Sequence, residues 1–195
     1  MDIRWQGEIH IAASYDVVYE YLANFPRHAE WAQTIERMEQ RKQGDEYGVG
    51  AQYHTWERQG MQSNRAPGEP ITMGRPVETL AEVRELSPSY RIVWQARTVQ
   101  KPLMSAELSF DLKADAGGGT RLLQRIYLHT SKPYDLLDKL RHRTDPVILR
   151  AQLRAQWEAG LRNIKEIVEG DVRARQRLVN FPVEAVDVEV RERHV

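Results

Sequence analysis

The sequence predicts an α+β domain in which a curved antiparallel β-sheet wraps around a long C-terminal α-helix, with two short helices after the first strand. Three observations carry that expectation. Period-2 alternation of apolar and polar residues recurs between Ile3 and Thr130, broken by turn-forming residues. A short helical pattern follows the first alternating stretch directly. Finally, Leu149, Leu153, Trp157, Leu161, Ile164 and Val168 recur at helical spacing and mark one long amphipathic helix.

From Ile3 to Ile11 the odd positions are Ile3, Trp5, Gly7, Ile9 and Ile11 while the even ones are polar, as in a strand with one buried face. Ser14 offers an N-cap oxygen, Asp16 suits the positive end of a helix, and Val17/Tyr21 with Val18/Leu22/Phe25 form an apolar stripe. Pro26 disfavours helical geometry at the residue before it, so this helix should end near Asn24. A second short helix, Pro26 to about Ala32, should carry Trp31. Strands are then expected at 34–41, 50–58, 77–86, 91–98, 103–113 and 120–130. Gly44-Asp45 with Gly48 and Gly50, Ser87-Pro88-Ser89, Lys101-Pro102 and Gly117-Gly118-Gly119 separate most of them, and hairpin connections make the sheet mostly antiparallel. Ala106, Leu108, Phe110 and Leu112 alternate with polar residues, and Ile92, Trp94 and Ala96 oppose Val93, Gln95 and Arg97, giving one covered and one wet face. The cover is a short helix at 133–143 and the long one from Pro146 to Gly170, with proline in the first turn and glycine as the stop. A sheet curved around a helix leaves space between them.

Residues 1–170 are expected to form a single domain. Its plan leaves out a Gly- and Pro-rich insertion loop at 60–76, of a length that usually serves as a functional lid or is disordered. The extension at 171–195 contains Val186, Val188 and Val190 in alternation, which suggests a late strand that covers a sheet edge or pairs with a second copy in a homodimer.

Composition narrows the function classes. In 195 residues, 28 Lys+Arg balance 28 Asp+Glu, which removes the bulk positive field that unaided nucleic-acid binding relies on. The absence of cysteine excludes disulfides, thiolate nucleophiles, zinc ribbons and iron–sulfur clusters. No window approaches the ~18 apolar residues of a membrane span, and the polar amino terminus lacks a secretory layout, so a cytoplasmic protein is expected.

The string Ile9-His10-Ile11-Ala12-Ala13, running on through Asp16 to Pro26 and Trp31, resembles the opening of the SRPBCC (START-like) superfamily, polyketide cyclase/dehydrase-type branch. Gly48-Val49-Gly50-Ala51 is similar to that branch's Gly-x-Gly strand start. Val83 to Pro88 with Arg91 to Trp94 is similar to its central strand pair, and Phe110 to Leu122 to its last hairpin. The resemblance runs from about Ile3 to Val168 and implies a helix-grip fold with an interior cavity. It names no catalytic residues, because the superfamily has no universal catalytic signature. Three functions are compatible with it. The first is binding of a small hydrophobic molecule (polyketide, lipid or isoprenoid-like) between the sheet and the long helix. The second is a metal-independent aromatase/cyclase or dehydratase using acid/base groups in the same cavity, and the third a protein-interaction module without turnover.

The residues contain no His-Glu-x-x-His pair, Gly-x-Ser-x-Gly elbow or Walker loop, and Gly117-Gly118-Gly119 joins two strands instead of opening a helix onto a phosphate. Neither a metal nor a cofactor is expected. Trp31, Tyr53, Thr55, Trp94, Phe110 and Trp157 fall on the expected inner faces or at the entrance and are the candidate ligand-binding residues. The register of 51–56 decides one alternative: Ala51, Tyr53 and Thr55 face inward, or else His54 enters the cavity as a general base. On 120–130, Gln124, Ile126 and Leu128 are expected inside, with Arg125 and His129 in solvent. The basic runs Arg141-His142-Arg143 and Arg173, Arg175, Arg177 lie beside acidic residues and read as solvated faces.

Overall fold

The computed structural model describes residues 2–60, 73–99, 104–130 and 146–180. The order is β1 (Asp2–Ile11), α1 (Tyr15–Ala23), a 3₁₀ turn (Phe25–Arg27), α2 (His28–Trp31), β2 (Ile35–Lys42), β3 (Gln52–Gly60), β4 (Met73–Ser87), β5 (Arg91–Thr98), β6 (Met104–Ala114), β7 (Thr120–Thr130) and α3 (Pro146–Asn180). The strands form one seven-stranded sheet in the order β1-β7-β6-β5-β4-β3-β2, and every neighbouring pair is antiparallel. This is a helix-grip α+β architecture. The β2 edge exposes Arg37, Glu39, Arg41 and Lys42, and such a charged rim discourages pairing with another sheet.

Helix α3 docks chiefly on β1. A Cβ on Gly7 would stand 2.5 Å from the Trp5 ring and 2.9 Å from Leu161, so only glycine lets the helix come this close. Lys165 Nζ donates to the His10 carbonyl at 2.7 Å, and the Ala12 N–H donates to Glu169 Oε1 at 2.8 Å. Burial alone would raise the Glu169 carboxyl. The Ala12 N–H and the cations of Lys165 and Arg173 outweigh it and hold the group below the usual carboxylate range.

Leu22, Ile11, Leu112, Leu122, Ile164 and Val168 are almost completely buried and belong to one core cluster. Next to them sits an aromatic cluster built on Phe25, which the turn ending α1 drives into the sheet. Its ring stacks on Tyr53 at 4.9 Å and meets Trp94 edge-on at 5.7 Å. His28 lies 4.8 Å from Phe25, 5.1 Å from Trp31 and 5.2 Å from Trp94. Its Nε2–H donates to the Leu22 carbonyl at 2.8 Å, and burial lowers its pKa to about 4 against that bond.

Several details differ from the sequence expectation. Helix α3 continues ten residues past Gly170, to Asn180. Glycine there is no stop, because Asp171 binds Arg27 at 3.1 Å and Val172 packs on the core, and both contacts require another helical turn. Strand β4 begins at Met73, inside the segment read as a loop, and pairs with β3 across a register shift between Arg58 and Gly60. Ser14 occupies the N-cap position of α1 without a side-chain cap bond. Residues 61–72, the short helix expected at 133–143 and the late strand at 186–190, with the dimer pairing attached to it, lie outside the described residues.

Two outcomes follow for stability. Phe25→Ala should lower the unfolding free energy by about 3–5 kcal/mol in urea titrations, and a loss below about 1 kcal/mol would show that the cluster is not a packed unit. His28, whose pKa falls from 6.5 to about 4, binds more protons unfolded than folded, so its contribution is complete above pH 6.5 and drains away as the pH drops toward 4. Relative to His28→Gln, the protein should therefore lose on the order of 2–3 kcal/mol between pH 7.5 and 4.5. Parallel pH profiles would contradict this.

Candidate functional site

The strand register converts a run of small residues into a space. Ala81, Ala96 and Ala106 are direct neighbours across β4, β5 and β6, flanked by Tyr53 and Leu128. The next inward row holds Thr55, Thr79 and Thr98 on β3, β4 and β5. On the other side of the alanines, Trp94, Leu108 and Ile126 form a bulky row. Short side chains at one end of a curved sheet cannot reach the helix, so a cavity of about 270 Å³ remains. This is at the lower edge of ordinary ligand pockets, ~300–1,000 Å³. Helix α3 roofs it with Leu153, Gln156, Trp157 and Gly160, and His28 and Trp31 form the wall toward the packed end.

The wall is mostly carbon, with a few polar groups. Thr79 Oγ1 donates to Glu57 Oε1 at 2.7 Å, and burial raises the Glu57 carboxyl against that bond. Three further buried polar atoms belong to lining residues and have no hydrogen-bond partner among the described residues: Trp31 Nε1, Thr55 Oγ1 and Gln124 Oε1. Buried polar groups are normally paired, so such a concentration marks a place where something else supplies the bonds. His28 also lines the cavity, but its donor is already engaged by Leu22.

Of the six candidate residues, Trp31, Thr55, Trp94 and Trp157 line the cavity. Tyr53 and Phe110 do not. Tyr53 is stacked on Phe25, and Phe110 packs under Trp31 and Trp94 at 5.8 Å and 5.4 Å, so both support the cavity wall from behind. Strand β3 takes the register with Ala51, Tyr53 and Thr55 inward. His54 is on the opposite face, its ring 4.2 Å from Trp56, Nε2 3.3 Å from Glu78 and Nδ1 accepting from Arg41 at 3.2 Å. The alternative in which it acts as a cavity base is therefore ruled out. Strand β7 directs Gln124, Ile126 and Leu128 inward, while Arg125 pairs with Asp111 and His129 with Asp2 on the outside.

Sequence reasoning missed Glu57, although one more step of the Tyr53/Thr55 alternation reaches it. It placed Gln124 inside without selecting it. His28 had no signal, because a single histidine in a helical turn shows nothing of the aromatic contacts it will make. Among the described residues, no group of three or more His, Asp or Glu could hold a metal ion, and no helix is long and apolar enough to cross a membrane.

The sequence matches the family described as polyketide cyclase / dehydrase and lipid transport over residues 2–169. No curated protein matches it significantly. Among solved structures, Zhui aromatase/cyclase from Streptomyces sp. R1128 superposes with a TM-score of 0.63 at 17% identity, over 93% of this chain and 100% of that one. TTHA0849 from Thermus thermophilus gives 0.59 at 17% identity, over 87% and 99%. Ara h 8.0201 gives 0.57 at 9% identity, over 86% and 98%. Identities this low establish a shared fold and nothing about a shared ligand. With residues 2–169 matched and its sheet and helix arranged as in these structures, the chain belongs to the polyketide cyclase/dehydrase and lipid-transport family of the SRPBCC superfamily.

Proposed function

We propose that the protein binds a small, mainly hydrophobic molecule between the sheet and α3. The observation that carries this reading is the cavity itself: about 270 Å³ of space beside an in-register row of three alanines, walled by Trp31, Trp94 and Trp157. A core under selection for stability alone would fill it, since voids weaken packing. Its volume suits a bicyclic or short-chain ligand of polyketide or isoprenoid character better than a long acyl chain. A second reading, an aromatase/cyclase or dehydratase working by acid/base chemistry, is favoured by the polar part of the wall, where Glu57 sits beside Thr79. That reading requires turnover of a poly-β-ketone probe, and binding without turnover would leave the first reading alone.

Ala96→Phe provides the direct test, because it fills the space from the sheet side without removing any contact. N-phenyl-1-naphthylamine, a neutral dye that brightens in apolar pockets, should bind the unaltered protein and lose at least about tenfold in affinity on this substitution, in line with a ring-sized steric block. The thermal midpoint should stay the same or rise. Equal dye binding by both proteins would place the dye elsewhere and sink the cavity reading. Trp94→Ala should weaken the tryptophan fluorescence response to the dye by removing part of the wall.

A further inference from the structure

Glu57 is an unusual group to place in such a cavity. It continues the inward face of β3, stands in register between Ile35 of β2 and Val77 of β4, and lines the space. Among the described residues its carboxyl has one hydrogen-bond partner, the Thr79 hydroxyl, and no cation. Two other ionisable side chains among the described residues line the cavity. His28, on α2, has its Nε2–H fixed on the Leu22 carbonyl, and burial keeps it neutral. Arg97, on β5, is exposed, on the alternate position from the inward Ala96 and Thr98. A carboxylate with no cation beside it among the described residues, half-buried in a mainly apolar wall, is costly to ionise, and burial shifts the balance toward the neutral acid.

That form has a consequence for recognition. Thr79 donates to Oε1, so the acid proton belongs on Oε2, which no described residue accepts from. Next to this pair in the same threonine row, the buried Thr55 Oγ1 also lacks a partner among the described residues, and Thr55 is 1% exposed. Resting on the cavity reading above, we infer that the Glu57–Thr55 end of the cavity is a subsite for a neutral oxygen acceptor: the ligand carries a ketone-type carbonyl that accepts the Glu57 Oε2–H, while its hydrocarbon body lies along the alanine row. The ligand class is thereby an uncharged, apolar carbonyl compound, and not an amine or a pure hydrocarbon.

Three probes of one skeleton separate these cases: 2-acetylnaphthalene, 2-ethylnaphthalene and 1-(2-naphthyl)ethylamine, each displacing N-phenyl-1-naphthylamine from the protein, Glu57→Gln and Glu57→Leu. Because the ketone and hydrocarbon differ in their own hydration, the informative quantity is their affinity ratio in each protein. Glu57→Gln keeps a donor in place and should preserve the ratio, whereas Glu57→Leu should reduce it by about three- to tenfold. The carbonyl stretch of bound 2-acetylnaphthalene should lie at lower frequency in the protein and in Glu57→Gln than in Glu57→Leu, which a merely structural role would not produce. Raising the pH should erode the ketone preference of the unaltered protein and leave that of Glu57→Gln flat. A ratio unchanged in Glu57→Leu overturns the inference while the cavity reading survives. So does tighter binding of the amine that both substitutions abolish, which would make Glu57 a counter-ion. Failure of all three probes to displace the dye removes the cavity reading and the subsite with it.

Discussion

The aromatic cluster around Phe25 is the contact on which the rest of the structure depends. It stands where the turn after α1, the middle of the sheet and the underside of α3 converge, and it divides the interior into two unlike halves. On one side, leucines, isoleucines and valines from the strands, α1 and α3 pack together with almost no exposed surface. On the other, Trp31, His28 and Trp94 present one surface to their aromatic neighbours and the other to the cavity. Stacked and edge-on rings add to their area burial, so the wall is stiff enough to stand without a ligand behind it.

How the cavity arises explains which parts of it the sequence reveals. Each alanine of 81, 96 and 106 is unremarkable in its own strand, because alternation tells only that it faces inward. Their alignment into one row is a property of strand register, which depends on turn lengths and on the bulge between Val83 and Glu85. The positions and facing of the strands were legible because a half-buried sheet imposes a strict period of two. The long helix was legible through its stripe, and the family through ordered short motifs. Its true end was hidden, since Asp171 and Val172 continue the helix through tertiary contacts that no local signal announces.

The same limits divided the candidate residues. The tryptophans were found because large aromatic rings on an inner face must border any space that exists. Tyr53 and Phe110 were chosen on the same logic, yet a second layer of rings separates them from the cavity. Glu57 was overlooked because a charged residue near a strand end is ordinarily solvated. Its partial burial follows from the alternation of β3, which turns it toward the cavity. The outer face of the sheet shows the opposite treatment of charge: Asp111 is clamped between Arg91 and Arg125, and Glu85 completes the run. Outside, these charges are paired; inside, the Glu57 carboxyl is left with a hydroxyl partner.

The central claim is that the space between sheet and helix is the binding site. Indole N–H resonances offer the most direct test, because the chain has 5 tryptophans in distinct positions. Trp31, Trp94 and Trp157 line the cavity, while Trp56 lies on the outer face against His54 and Arg37. Titration with an apolar naphthyl compound should shift the three cavity signals together and saturably, leaving Trp56 unmoved. A shift confined to Trp56, or none at the three cavity residues despite measurable binding, would contradict the account.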